Sequence, residues 1–171
     1  MVILGIDPGY AIVGFGLIRS ELHRYIPLEY GAIVTDADQE FSERLVVIYN
    51  HMTHLLEKGR PDAIAIEKLF FNSNKTTAIG VAEARGVILL AAAQHNVPVF
   101  EYTPLQVKTA VTGYGRAEKP QVMEMTRRLL RLRQVPRPDD TADALAIAIC
   151  HAQAAGSPLR RSIAAGVLDI R

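Results

Sequence analysis

Apolar residues gather in three short runs near the start of the chain, Val2–Ile6, Ile12–Ile18 and Tyr25–Val34, the second interrupted by Gly14 and Gly16. Runs of this length joined by short turns predict the strands of an antiparallel meander. Phe41, Leu45, Ile48, Met52, Leu55 and Leu56 then recur at steps of three and four until Gly59-Arg60-Pro61 intervenes. That spacing predicts an amphipathic helix with a stop signal at its end. Ala63–Ile66 is apolar at every position and exits onto Glu67, the pattern of a central strand covered on both faces.

Beyond Asn72-Ser73-Asn74 an alanine-rich segment, Thr76–His95, predicts a long helix, and Val97–Tyr102 a further strand. The resulting β-α-β-α-β alternation implies parallel strands with helical crossovers. Thr103-Pro104 opens a short helix that Gly113 ends. Gly113 and Gly115 bracket a link, Pro120–Leu132 reads as another helix, Pro136-Arg137-Pro138 breaks it, and Asp140–Ala155 is the last. The expected architecture is α/β: a mixed sheet, with a three-strand antiparallel meander and parallel strands, flanked by helices. A length of 171 residues fits one domain. Residues 1–155 are assigned to it and 156–171 to a loosely attached tail.

Composition adds a few limits. Hydrophobic residues make up 49% of the chain and charged residues 22%, a globular balance. The single cysteine, Cys150, excludes an internal disulfide framework and is compatible with a reducing compartment. No stretch approaches the roughly 18 to 20 apolar residues of a membrane span, and no basic leader region is present, so a cytoplasmic location is expected. The net charge is +1, but its distribution is uneven. From Arg116 to Arg137 there are seven basic residues (Arg116, Lys119, Arg127, Arg128, Arg131, Arg133, Arg137) against Glu118 and Glu124. The stretch is either a solvated helix face or a surface for a polyanion.

Asp7 and Glu67 hold equivalent places, each the first charged residue after an apolar run. If their strands are adjacent and parallel, both carboxylates emerge at one sheet edge, where open α/β sheets bind ligands. Asp140 and Asp143 are three apart at a helix start and share one side of its first turn. Each has an ordinary structural role open to it as a turn, strand-exit or helix-start residue. Four carboxylates converging without a cation, however, would repel one another and raise their own pKa values. Carboxylates without histidine or thiolate suit Mg²⁺ or Mn²⁺, and two such ions about 4 Å apart support phosphodiester hydrolysis. Bound cations would also reverse the sign of an acidic cluster that otherwise repels nucleic acid.

With those residues placed, the chain resembles the RuvC family of Holliday junction resolvases, crossover junction endodeoxyribonucleases with the ribonuclease H-like fold. The resemblance runs from Val2 to about His151. It is carried by GIDPG (Gly5–Gly9), AIEKLFF (Ala65–Phe71), EARG (Glu83–Gly86), PVFEYTPLQVK (Pro98–Lys108), GRAEKPQV (Gly115–Val122) and DDTADALAIAI (Asp139–Ile149). It implies that Asp7, Glu67, Asp140 and Asp143 are the catalytic acids and hold two Mg²⁺ ions, with Mn²⁺ able to substitute. Asp139 leaves a one-residue ambiguity of register that D-x-x-D-A-L-A resolves towards Asp140. It further implies that Lys108 and Lys119 act on phosphate and that Phe70 stacks on a base, with Phe71 a second candidate; Arg116 joins the DNA-binding set from the basic stretch. The implied reaction is paired, symmetric nicking of a four-way junction, leaving 5′-phosphate and 3′-hydroxyl ends, in recombination and DNA repair. The implied partners are a second copy of the chain and a branch-migration complex of a junction-binding tetramer and a hexameric ATPase; the small side chains of Thr76–His95 make that segment the candidate dimer helix, with a core helix as the alternative.

Three alternatives stand beside this reading. An RNA-processing nuclease of the related YqgF type shares the GIDPG-like turn but is usually shorter and lacks the EARG and GRAEKPQV context. An actin-like or sugar-kinase-like ATPase needs two domains, for which 171 residues are too few. A catalytically silent junction-binding module need not keep four acids. His51 and His54, three apart on the first helix, have no third ligand nearby and read as surface histidines. Cys150 reads as packing.

Overall fold

The computed structural model describes residues 1–22, 24–69 and 75–156, with the side chains of residues 75–77 excepted. Three strands form the expected meander: β1 (Val2–Asp7), β2 (Ile12–Glu21) and β3 (Arg24–Val34). Helix α1 (Phe41–Gly59), strand β4 (Ala63–Glu67), helix α2 (Lys75–Gln94) and strand β5 (Val99–Tyr102) follow. The chain then turns helical: α3 (Pro104–Thr112), α4 (Lys119–Leu129) and α5 (Asp139–Gly156). α5 includes Gly156, the first residue assigned to the tail from the sequence; residues 157–171 lie outside the described residues.

The five strands form one mixed sheet in the order β3-β2-β1-β4-β5. β1 runs antiparallel to β2 and parallel to β4, with Ile3 paired to Ala63 and Ile6 to Ile66. β5 continues the parallel half, with Glu67 opposite Tyr102. On β3 the pairing slips between Leu17↔Glu29 and Ile18↔Pro27. The irregularity falls beside a proline on an edge strand, where a missing N–H costs least.

Some boundaries differ from the sequence expectation, those of β5 and α4 among them, whereas α1 stops where Gly59-Arg60-Pro61 was expected to stop it. β5 starts at Val99 instead of Val97, with the Pro98 carbonyl accepting from Ile64 N. α1 is closed by Arg60, in the left-handed conformation with its N–H on Leu56 O. Gly59 stays inside the helix, where an added Cβ would lie 2.9 Å from Leu17 Cδ2. α4 ends at Leu129, three residues early, because Leu130 caps it and Arg131 turns to φ 54°.

Strand alternation divides the core in two. Leu4, Ile6, Ile64 and Ile66 face α1 and α2 and meet Ile48, Met52, Leu56, Ala84 and Ile88. Ile3 and Ala65 face the other way, onto Leu145, Ala148 and Ile149 of α5. α5 is buried nearly all round, from Thr141 through Ala152, because α3 and α4 cover the side that the sheet leaves open. A helix that is apolar on every face belongs in such a position.

The seating of α5 is set by missing side chains. Gly5 pairs with Gly16 across β1 and β2, and Gly14 pairs with Asp7. A Cβ on Gly5 would stand 2.0 Å from the carbonyl oxygen of Ala144 and 2.9 Å from Ala148 Cβ. On Gly14 it would stand 2.0 Å from the carbonyl oxygen of Asp140, and on Gly16 it would meet Leu145. The first turns of α5 therefore lie backbone to backbone against the sheet. Replacing Gly5 with Ala should lower stability by about 1–3 kcal/mol or more through overpacking. Urea denaturation measures it; unchanged stability would show that α5 has room to move.

Candidate active site

Alternation places Asp7 on the α5 face of β1, in step with Ile3 and Gly5, and Glu67 on the same face of β4, in step with Ala65. The parallel ladder ends at Ile6↔Ile66, so the two acids stand side by side at the carboxyl ends of neighbouring strands. The turn after Asp7 is tight: a Cβ on Gly9 would lie 2.2 Å from Ile12 O. α5 begins with Asp139 and Asp140 and, held by the glycines, brings Asp140 and Asp143 over the same end of the sheet. Four acids from three elements thus converge as the sequence reading expected.

Their ionisation records the crowding. The Asp7 carboxyl is pushed up from 3.8 to about 8, first by burial and then by the charges of Glu67, Asp143 and Asp140, with Lys119 opposing. Glu67 is raised by burial and by Asp143, while a hydrogen bond from Asp7 and the Lys119 charge pull it down. Asp143 is also raised, chiefly by burial, against the lowering effect of Lys119. At neutral pH the proton rests on Asp7 and is shared towards Glu67.

Lys119 is the cation of this site. It opens α4, where the positive end of the helix dipole disfavours a cation. A capping hydrogen bond from Glu118 N to Gln121 Oε1 (2.9 Å) holds the helix start. Its Nζ lies 2.9 Å from Asp143 Oδ2 and 3.6 Å from Asp139 Oδ2. Burial lowers the Lys119 pKa, but the hydrogen bond to Asp143 and the surrounding carboxylates outweigh this and raise it. Lys119, Lys108, Glu67 and Asp143 line a cleft of about 250 Å³ floored by Pro104, Val107, Val122 and Ile147. The helix α3 that carries Lys108 is fixed by a capping box in which Gln106 N donates to Thr103 Oγ1 (3.2 Å) and Thr103 N to Gln106 Oε1 (2.8 Å).

The other residues singled out in the sequence divide. Arg116 is exposed, three residues ahead of Lys119, and is not among the residues lining the cleft. Phe70 and Phe71 lie outside the described residues. Within the basic stretch, Arg127 and Arg128 both pair with Glu124, at 2.8 and 2.7 Å, so part of the local excess is neutralised on the helix itself. His51 and His54 are exposed on α1, with His51 Nδ1 on the carbonyl of Val47. Cys150 is buried in α5.

Two contributors escaped the sequence reading. Asp139 pairs with Arg137 and Lys119, whereas Asp140 acts on Asp7, which distinguishes the neighbouring aspartates. Arg137, two residues upstream, was the available clue. Tyr102, the register partner of Glu67, shares a hydrogen bond of 2.7 Å between its hydroxyl and His151 Nδ1 inside the core. Burial drives His151 down to about 4 and keeps it neutral, so the pair ties β5 to α5 without a buried charge. Nothing in the local pattern of either residue signals the other.

Among the described residues, no three Asp, Glu, His or Cys side chains form a finished ligand set for a metal; Asp143 is turned onto the ammonium of Lys119. The donor chemistry nevertheless suits a hard dication: oxygen ligands alone, desolvated and mutually repelling. A dication would offset the burial and the repulsion that together keep a proton on Asp7.

The family model "Crossover junction endodeoxyribonuclease RuvC" matches residues 3–151. Among similar proteins, the crossover junction endodeoxyribonuclease RuvC of Brevibacillus brevis is 60% identical over 153 residues, covering 90% of this chain and 92% of that one. The protein of the same name from Ruminiclostridium cellulolyticum is 56% identical over 151 residues, 88% of this chain and 91% of that one. Among solved structures, Thermus thermophilus RuvC in complex with a Holliday junction substrate superposes with a TM-score of 0.89 at 38% identity, covering 96% of this chain and 98% of that one.

The raised Asp7 pKa has a consequence for stability. Between about pH 4 and about pH 8 the folded chain holds a proton that an unfolded aspartate releases. Stability of the metal-free protein therefore falls as pH rises through that window. Asp7→Asn removes the penalty. Its Tm in EDTA should exceed that of the parent by several degrees at about pH 8, at about 2–4 °C per kcal/mol, and match it near pH 4. Calorimetry at the two pH values checks this; equal Tm at pH 8 would mean that Asp7 is not desolvated.

Proposed function

The chain belongs to the RuvC family of crossover junction endodeoxyribonucleases, and we propose that Asp7, Glu67, Asp140 and Asp143 are the acids with which it resolves four-way DNA junctions. The family's nucleases are metal-dependent, and its ribonuclease H-like fold is the mixed sheet described above. The observation that supports the assignment is the convergence of four carboxylates from β1, β4 and α5 beside two lysines of one cleft. Isolated turn or cap roles would not bring them to one point.

These acids would hold two Mg²⁺ ions, with Mn²⁺ able to substitute. Bound there, the ions would supply Lewis acidity to the phosphate and to the attacking and departing oxygens. The residues provide the rest. Asp7 and Glu67 are fixed by the strand register and would have to lose their shared proton to hold a cation, so cation affinity should strengthen as pH rises towards about 8. Asp143, held on the ammonium of Lys119 at 2.9 Å, would be available to a cation once that contact is given up. Lys119, so released, and Lys108 across the cleft neutralise phosphate oxygens and hold the strand. Arg116 extends the basic surface on the approach side. Phe70 and Phe71 are kept as the candidates for base stacking at the branch point.

A four-way junction has two strands of like polarity to cut, which calls for a twofold pair of sites. We assign the dimer surface to α2, which packs on α1 through Ala84, Ile88 and Ala92 while leaving Ile79 and Leu90 exposed. Residues 1–155 would form the nuclease domain. Among the described residues no helix is long and apolar enough to cross a membrane.

Nicking assays on matched four-way junction, linear duplex and RNA substrates, with and without divalent metal, test the reading. Cleavage should be confined to the junction and abolished by EDTA. Asp7→Asn should lose at least about 100-fold in rate and keep junction affinity; wild-type cutting by this variant would remove Asp7 from the site. A second test concerns charge. Each phosphate contact contributes about 0.9 to the slope of log affinity against log salt. Reversing Arg116 and Lys119 to Glu should flatten that slope by about two units, and an unchanged slope would return these residues to a solvated role.

A further inference from the structure

Arg44 is buried at 9% exposure, the one Lys, Arg, Asp or Glu in the buried class among the described residues. No carboxylate lies within ion-pairing distance of it among those residues. Burying an unpaired guanidinium is expensive, and its hydrogen bonds show where it acts. Arg44 Nε donates to Thr35 Oγ1 at 2.9 Å, and Nη2 donates to the Tyr10 carbonyl at 3.3 Å. Thr35 Oγ1 donates to that same carbonyl at 2.7 Å, while Thr35 N donates to the Ala11 carbonyl at 3.0 Å. The guanidinium also lies over the Tyr10 ring, 5.0 Å from its centroid.

The ring itself is enclosed. Phe41, the first residue of α1, meets it edge to face with centroids 5.9 Å apart, and a Cβ on Gly80 of α2 would lie 3.1 Å from Tyr10 Cδ1. All these contacts act on the downstream limb of the turn Asp7-Pro8-Gly9-Tyr10-Ala11. The upstream limb is held by the β1 ladder on both sides. The turn that presents Asp7 is thus gripped from behind, on the face of the sheet opposite α5.

We propose that Arg44 is a positioning residue: with Thr35 it clamps the Tyr10 and Ala11 carbonyls and so holds the Asp7 carboxyl where Glu67 and α5 meet it. The inference rests on the assignment of Asp7 to the active site. It fits the size of the effect available, since a displacement of about 1 Å at a reacting group costs about 100-fold in rate. A lysine at position 44 would present its donors from a single flexible nitrogen, whereas guanidinium meets the two acceptors from two nitrogens of one rigid planar fork.

The test uses the full-length protein and the variants Arg44→Lys, Arg44→Met and Thr35→Val. Three quantities are read: Mn²⁺ affinity by electron paramagnetic resonance, kcat on a four-way junction, and junction Kd in EDTA. Arg44→Met should weaken Mn²⁺ binding about tenfold and lower kcat about 100-fold, with junction Kd within about twofold of the parent. Thr35→Val should move both in the same direction, and Arg44→Lys should recover part of the Arg44→Met loss. Should Arg44→Met fail to fold, the other two variants decide. Folded Thr35→Val and Arg44→Lys proteins with parental Mn²⁺ affinity and kcat would overturn the proposal, as would a loss of junction affinity matching the loss of rate. A parent that binds Mn²⁺ but does not cut junctions would sink the resolvase reading instead, and the Mn²⁺ comparison would still judge the clamp.

Discussion

Everything at the acidic site depends on how closely the backbone of α5 approaches the sheet. Gly5, Gly14 and Gly16 form a strip without side chains across β1 and β2, and the carbonyls of Asp140 and Ala144 settle into it. A helix packed on ordinary side chains stands about 10 Å from a sheet, and its first turn would then overhang the strand ends at a distance. Here the glycines draw α5 in, and two aspartates of its first turns share space with Asp7 and Glu67. The burial of α5 on nearly every face follows from the same seating, since α3 and α4 have to close over what the sheet cannot reach.

That approach has an electrostatic cost, which is visible in the protonation of the site. Burial and like charge raise Asp7, Glu67 and Asp143 together, and the fold offsets this with a lysine placed against the dipole of its own helix. Neither arrangement is favourable alone. Together they describe a site whose charge balance is completed by an added cation. The amphipathic cleft next to it, with ammonium groups above an apolar floor, suits a sugar-phosphate strand better than a small acidic metabolite.

The two faces of the sheet divide the labour. The α5 face carries the carboxylates and the lysines. The α1 and α2 face carries the larger aliphatic core and, through Arg44, Thr35, Phe41 and Gly80, the packing behind the Asp7 turn. α2 also carries the proposed contact with the second subunit, so that contact and the support of the Asp7 turn share one layer. The Tyr102–His151 hydrogen bond joins that frame to α5 through the core.

The strands and the helices were legible in the chain because they rest on local periodicity and on turn residues, whereas the parallel pairing of β1 with β4 entered only as a condition, which the ladder meets. Asp7 and Glu67 were legible for the same reason: each ends an apolar run, and strand alternation sets its face. Helix ends were less so, since Arg60 and Arg131 adopt left-handed conformations that their residue types do not announce, and α4 stops early for that reason. What tertiary structure alone decided is long-range. Asp139 and Asp140 look alike in sequence, and their separation into a counter-ion and a neighbour of Asp7 depends on where Lys119 and Gly14 lie. Arg44 occupies a position whose spacing marks it only as one residue of an amphipathic helix, and its buried grip on the Tyr10 turn exists because two segments 34 residues apart are packed together. Periodicity in a chain reports which way a side chain points; what it meets there depends on close packing, which no local pattern encodes.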